Sequence, residues 1–165
     1  MAYNNGGGYG GGYRDNRGSQ NQYGKPQNNY GYNHYQDNVP RVIEPKTLPD
    51  DFVDVAEKHM AKCFRWISTS KIRNLLSLVI DCYQEESRST AEEIAQRSVD
   101  ALTNLRIRIV YEMGRDDRGV GQFVRETELL QYLAGVRGKR EALLRFYHYM
   151  EALVAYHKYM GGKEG

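Results

Sequence analysis

At 165 residues, with 23 Lys and Arg against 21 Asp and Glu, the chain has the size of one domain and a net charge of only +2. That balance excludes the strongly basic surface typical of stand-alone nucleic-acid binders, so a nucleic-acid role has to rest on how charge is arranged. No apolar run approaches the ~20 residues of a membrane span, and the opening Met-Ala-Tyr-Asn-Asn-Gly lacks the apolar stretch of a secretory signal, so a cytoplasmic protein is expected.

Residues 1–39 hold seven of the fourteen tyrosines and runs such as Gly6-Gly7-Gly8-Tyr9-Gly10-Gly11-Gly12-Tyr13. Leu, Ile and Phe are absent and Met occurs only as Met1, so no core offsets the ordering entropy and a disordered tail is expected. Its tyrosines could stack on RNA bases. With only Arg14, Arg17 and Lys25 basic, a solubilising extension is the simpler reading. Residues 40–49 form a connector, in which Pro40, Pro45 and Pro49 each disfavour helix at the residue before.

Five helices are expected over residues 50–165. The first spans about 51–66, opening at the Asp50-Asp51 carboxylates and carrying Phe52, Val55, Ala56, His59 and Met60 on one face. The second spans about 70–86, where Ile72, Leu75, Leu76, Val79 and Tyr83 follow helical spacing and Ser68, Thr69 and Ser70 supply caps. A third opens at Thr90 with Glu93 as its capping-box partner, runs to Met113 and ends at Gly114. Its stretch Ile107-Arg108-Ile109-Val110-Tyr111 has strand-like composition but sits within a helical pattern. The fourth follows a Gly119-Val120-Gly121 loop with Phe123, Val124, Leu129, Leu130 and Leu133, and the fifth runs from near Gly138 to Gly161-Gly162. The expected fold class is therefore all-α, a compact bundle of about five helices behind a disordered N-terminal tail.

No catalytic constellation emerges, and no enzyme, metal or cofactor is expected. Cys63 and Cys82 match neither a redox pair nor a zinc spacing and read as buried free thiols. His148-x-x-Glu151 reverses the order of a di-iron motif and occurs once, so a surface pair is expected. His157 falls on the apolar arc of the last helix and reads as a core histidine. Asp116-Asp117, between Arg115 and Arg118, reads as a solvated, charge-balanced turn; Gly119-Val120-Gly121 follows no strand and fits no nucleotide fingerprint.

Two surface patterns stand out. Arg97, Asn104 and Arg108 share a narrow arc of the third helix and Arg115 extends their line, a basic ridge of roughly 25–27 Å at ~1.5 Å per residue. An ordinary solvated face is the bland alternative. On the last helix Arg145, Tyr149, Ala152 and Tyr156, with Tyr159 beside them, oppose the apolar face. An aromatic back face means a helix central in the bundle, packed on another subunit, or facing RNA. Burial or a subunit interface through Arg145, Tyr149 and Tyr156 ranks above base stacking.

Three ordered segments carry a resemblance. Ser68-Thr69-Ser70-Lys71-Ile72-Arg73-Asn74-Leu75-Leu76 resembles the "TTSKIRNLL" stretch of the small-subunit family of type III-A CRISPR effector (Csm) complexes. Residues Arg106 to Arg115 are similar to that family's "LKxRxxYEAGR" segment, and Tyr149 to Tyr159 to its "YMEALVAYHK" segment. The resemblance covers most of residues 50–163; residues 1–39 depart from the family pattern and inherit nothing.

The resemblance implies a non-catalytic helical protein that stacks in several copies inside a ribonucleoprotein. Its partners would be CRISPR RNA, target RNA, further copies of itself, and the backbone and large subunits. Sequence reading would fall to base pairing while the protein meets backbone and shape. RNA contacts carried onto matching positions are Lys71, Arg73, Arg106, Arg108, Arg115 and Lys158; Arg118, Lys139 and Arg140 lie in adjoining loops, and Arg97 continues the ridge. The competing readings are a stand-alone RNA binder working through its Tyr/Gly-rich tail and a helical adaptor that touches only protein.

Overall fold

Leu143, Phe146, Met150, Leu153 and His157 recur at intervals of three or four, and each is at most 1% exposed. They form the inner seam of the last helix, around which the bundle is built. The computed structural model describes Gly11, Gly12 and residues 42–165; the expected tail lies outside these residues apart from its two glycines. Helix α1 spans Phe52–Cys63, α2 Thr69–Glu86, α3 Gln96–Arg115, α4 Gln122–Glu126, α5 Leu129–Gly135 and α6 Arg140–Tyr159, with a π-helical turn at Asp117–Gly121 before α4. Among the described residues there is no strand, only an isolated bridge between Glu93 and Lys139. The all-α expectation holds, with six helices rather than five.

α6 lies between α1 and α2, and α3 packs on the far side of α2. The short α4 and α5 close the space between α1, α3 and α6. The back face of α6 is covered at Tyr149 by the chain's own α1 and α5, while Tyr156 stays half-buried and Tyr159 exposed. Tyr149, expected at a subunit interface, is wholly buried. Its hydroxyl donates to the Thr127 carbonyl at 2.7 Å, leaving its oxygen to accept from His59 Nδ1 at 2.8 Å. Arg145 is equally engaged, donating to the Leu48 and Pro49 carbonyls at 3.2 and 2.8 Å and to Asp50 at 2.8 Å. These bonds pin residues 46–50 along the bundle, and Gly135 has no Cβ to strike the Lys46 backbone, whose N–H donates to the Gln131 carbonyl at 3.0 Å. His157 is a buried core histidine: Nε2–H donates to the Ile67 carbonyl and Nδ1 accepts from Thr69 Oγ1, both at 2.9 Å. Cys63 and Cys82 are buried and unpaired, and burial pushes the Cys63 thiol up to about 12.

Several boundaries differ from expectation for physical reasons. Asp51 makes no side-chain cap on α1, and Asp50 serves Arg145 instead. α1 ends at Cys63 rather than 66. α3 begins at Gln96, not Thr90, because residues 91–95 are drawn into loop contacts: Ile94 N–H donates to the Gly138 carbonyl and Arg140 N–H to that of Glu92. Its start is capped from another helix, since the buried Glu86 carboxylate accepts from Ala95 N–H at 2.9 Å and Ser98 Oγ at 2.6 Å. Gly114 is helical and does not end α3. The expected fourth helix is broken into α4 and α5 at Glu128, which adopts a left-handed φ of 51°.

Burial holds His59 below its ordinary value of 6.5; Lys62 and Lys46 act the same way, Glu128 and Glu126 against it. The unfolded chain therefore takes up this proton at a higher pH than the folded one. The stabilisation is complete above 6.5 and is lost as pH falls through the lowered folded value. Asp116 and Glu128 are held below their own ordinary values of 3.8 and 4.5, so their loss comes at lower pH. Melting temperature should fall between about pH 7 and pH 5, and His59→Gln should flatten that dependence. An equal fall in both proteins would assign the effect elsewhere.

A candidate nucleic-acid groove between α2 and α3

Ser68 opens α2 by accepting from Lys71 N–H at 3.4 Å, which sets Lys71 on the first turn. Asp116 ends α3, and its carboxylate accepts from Gly119 N–H at 3.0 Å and Val120 N–H at 3.3 Å, organising the π-helical turn. Lys71 Nζ reaches the same carboxylate at 2.6 Å, tying the start of α2 to the end of α3. The Lys71 bond foremost holds the Asp116 carboxyl below its usual value, against partial desolvation. Asp116 is thus an organising group and not the solvated turn residue the sequence suggests. Asp117 accepts from Arg125 Nη1 at 2.8 Å.

Beside this junction lies a groove of about 700 Å³. The buried Leu75, Leu105 and Val120 form its floor and the exposed Leu78 borders it; Lys71 and Asn74 of α2 line one side, Asn104, Arg108 and Arg115 of α3 the other. Glu112, whose side chain is 16% exposed, sits between the two arginines, with Arg108 at 3.1 Å and Arg115 at 3.6 Å. Three cations therefore meet two carboxylates, a small positive excess that is already internally paired. Half-exposed pairs of this kind are worth only about 0–1 kcal/mol, so a phosphate oxygen can replace either carboxylate as partner. The Asn74 and Asn104 amides and the leucine floor offer neutral contacts beside the charges. Among the described residues no group of three His, Cys, Asp or Glu converges as a metal site, and no helix is long and apolar enough to cross a membrane.

The groove gathers only part of the expected set. Lys71, Arg108 and Arg115 line it; Arg73 is exposed on α2 outside it. Arg97 lies nearer the start of α3, 3.8 Å from Glu85. Arg106 occupies the opposite flank of α3, beside a shallow depression reaching Leu133 and Arg137. Arg118 is exposed in the π-helical turn. Lys139 is paired with Glu92 at 3.2 Å and Glu93 at 3.5 Å, and Arg140 donates to the Ala91 carbonyl at 2.8 Å, so both tie down the loop before α3. Lys158 is exposed and paired with Glu164. His148 and Glu151 form the expected surface pair at 2.9 Å.

Asn74 and Glu112 were missed by sequence reasoning. Both were legible as spacing: Asn74 stands one turn beyond Lys71, and Glu112 one turn from both Arg108 and Arg115. Two glycines test the junction. A Cβ at Gly119 would overlap the Asp116 carboxylate, while one at Gly114 meets nothing within 4 Å. Gly119→Ala should destabilise the fold by about 1–3 kcal/mol, and Gly114→Ala should stabilise it by about 1 kcal/mol, both read by urea denaturation. Equal effects would show that the turn does not depend on this close approach.

Comparison with known proteins follows the same segments. The model of a family described as Csm2 Type III-A matches residues 46–163. A protein of Streptococcus thermophilus named CRISPR system Cms protein Csm2 is 34% identical over 121 residues, 70% of this chain and 95% of that one. Proteins of the same name from Mycobacterium tuberculosis (strain CDC 1551 / Oshkosh) and Enterococcus italicus are 40% and 33% identical over 98 residues, covering 78% and 69% of their own lengths. With the family match spanning the whole helical bundle, the chain belongs to the Csm2 family of type III-A CRISPR small subunits.

Proposed function

We propose that this small subunit is a non-catalytic RNA-binding protein that stacks in several copies along a guide RNA–target RNA duplex, beside the backbone and large subunits of its complex, in cytoplasmic antiviral defence. The observation that carries this reading is the convergence of Lys71, Arg108 and Arg115 on one groove between α2 and α3. Phosphates are the matching ligand, because point charges on an open surface read backbone and not base identity. The exposed Arg73, Arg97, Arg118 and Lys158 extend the cationic surface beyond the groove. With a net charge of +2 and internally paired cations, a single free copy binds RNA weakly. Copies held along one duplex repeat the groove, and effective concentration multiplies small gains.

Arg108→Ala combined with Arg115→Ala should weaken target-RNA binding by the assembled complex. It should also reduce the magnitude of the log K versus log [salt] slope by roughly 0.7–0.9 for each phosphate no longer engaged. The weakening should be similar for different guide sequences. Unchanged affinity and slope in an intact complex would move the RNA face elsewhere, and no salt-dependent RNA binding at all would favour a protein-only adaptor. Purified protein incubated with single-stranded RNA and Mg²⁺ or Mn²⁺ should leave the RNA whole. Cleavage that follows the protein and disappears with Asp116→Asn would overturn the non-enzyme reading.

A further inference from the structure

α2 has no acidic residue in its first turn, and the side chain that caps it, Ser68, serves only the Lys71 N–H. A helix start leaves its first N–H groups without an intrahelical acceptor. Here those of Thr69 and Ser70 are taken by the residues that follow α6. Thr69 N–H donates to the Lys163 carbonyl at 2.8 Å and Ser70 N–H to the Glu164 carbonyl at 3.0 Å. The Ser70 hydroxyl adds a further bond to the Glu164 carbonyl at 2.6 Å. Two carbonyls thus stand where a helix N-terminus favours negative charge.

The way α6 ends brings this strap into place. Gly162 N–H donates to the His157 carbonyl at 2.9 Å and Gly161 N–H to that of Lys158 at 3.1 Å, the paired bonds of a Schellman motif, with Gly161 at a left-handed φ of 76°. The chain then turns back across the buried His157 ring. Gly162 permits this, since a Cβ there would fall 2.2 Å from the ring. The same ring bonds Thr69 Oγ1 at 2.9 Å, and the Glu164 carboxylate is paired with Lys158. The strap is therefore tied both to α6 and to the first turn of α2, the turn that carries Lys71 to Asp116 and the groove.

We propose that residues 161–164 are a positioning element of the groove: they keep the first turn of α2 wound, so that the Lys71 ammonium stays on the groove. This rests on the reading that the groove meets RNA phosphates. Further along α2, Ile72, Leu75 and Val79 are at most 4% exposed and anchor the helix in the core. Loss of the strap therefore frays the start of the helix and leaves the bundle folded. Lys71 lies on the side of that anchor which frays, and its own half-exposed bond to Asp116 is too weak to hold the turn. Residues 161–165 contain one lysine and one glutamate, so their removal leaves the net charge at +2 and a change in RNA affinity cannot come from overall charge.

The test is target-RNA capture by the complex reconstituted with its other subunits, using chains that end at Met160, chains carrying Lys71→Ala, and chains with both changes. Truncation should lower affinity several-fold, about as much as Lys71→Ala does, and should lower it no further in a chain that already carries Lys71→Ala. Amide exchange at Thr69, Ser70 and Lys71 should rise on truncation while that of residues 143–157 stays protected. Lys163→Ala, which keeps the carbonyl, should leave capture intact. Unchanged capture after truncation would overturn the positioning role. So would equal losses with and without Lys71, the mark of a strap that serves stability alone, or a loss from Lys163→Ala as large as that from truncation, the mark of a direct contact. Failure of the RNA reading looks different, and the positioning role falls with it: Lys71→Ala and the paired Arg108→Ala and Arg115→Ala then leave capture unchanged even with the strap in place.

Discussion

A helix enclosed by neighbours on both flanks must find a protein partner for every polar atom it carries inward, because water is not there to serve. α6 carries two such groups, the Tyr149 hydroxyl and the His157 ring, and a third at its edge, the Arg145 guanidinium. Their partners come from far along the chain: His59 and the Thr127 carbonyl, Thr69 and the Ile67 carbonyl, and residues 48–50. Each bond fixes a segment that helical propensity leaves free. Thr127 is held at the α4–α5 break, Thr69 at the start of α2, and the extended residues 46–50 against the bundle. Among the described residues no buried side-chain nitrogen or oxygen lacks a partner. The position of Lys71 at the groove thus depends, through Thr69 two residues earlier, on a histidine on the far side of α2.

The groove is built on the opposite principle. Its cations are half-exposed, and each meets a less exposed carboxylate of its own chain: Lys71 meets Asp116, while Arg108 and Arg115 share Glu112. Such pairs add little stability in solvent. They do limit where the long side chains point, which would lower the ordering cost of any anion bound there. The same pairing leaves the groove only a small positive excess, three cations against two carboxylates. The low net charge read from composition and the local concentration of cations on α3 are therefore compatible.

Helical periodicity made most of the fold legible. α2 and α6 fall where Ile72, Leu75 and Val79, and Leu143, Phe146 and Met150, repeat with helical spacing, and the Ser68 cap was readable from the same run. Misread points were those where a distant group overrides a local signal. Thr90-x-x-Glu93 has the form of a capping box, yet Glu86 caps α3 six residues after Thr90, because backbone bonds to Glu92 and Gly138 hold residues 91–95 as a loop. Gly114 has the composition of a helix stop, but the Asp116 carboxylate organises the turn after Arg115 and the helix runs on to meet it. The back face of α6 was recognised as abnormal for a surface helix. Which of three explanations applied could not be read locally, since α1 lies about ninety residues away in sequence and covers Tyr149 only in the folded chain.

α3 shows why a single helical wheel cannot be divided simply into core and solvent. Leu105 and Ile109 face inward, Asn104, Arg108 and Arg115 face the groove, and Ile107, Val110 and Tyr111 face outward. The arginine ridge was visible because charge is conspicuous against an apolar arc. The outer row was not, because its residues also extend the apolar count that identifies the helix, and Ile107-Arg108-Ile109-Val110-Tyr111 even has the composition of a strand. Burying such a row by folding would require another helix on that side, and the described residues offer none. An apolar row left exposed carries a solubility cost that stays tolerable while the row is small and bordered by arginines. Three residues flanked by Arg106 and Arg108 meet that condition, on the same helix that supplies the groove with Arg108 and Arg115.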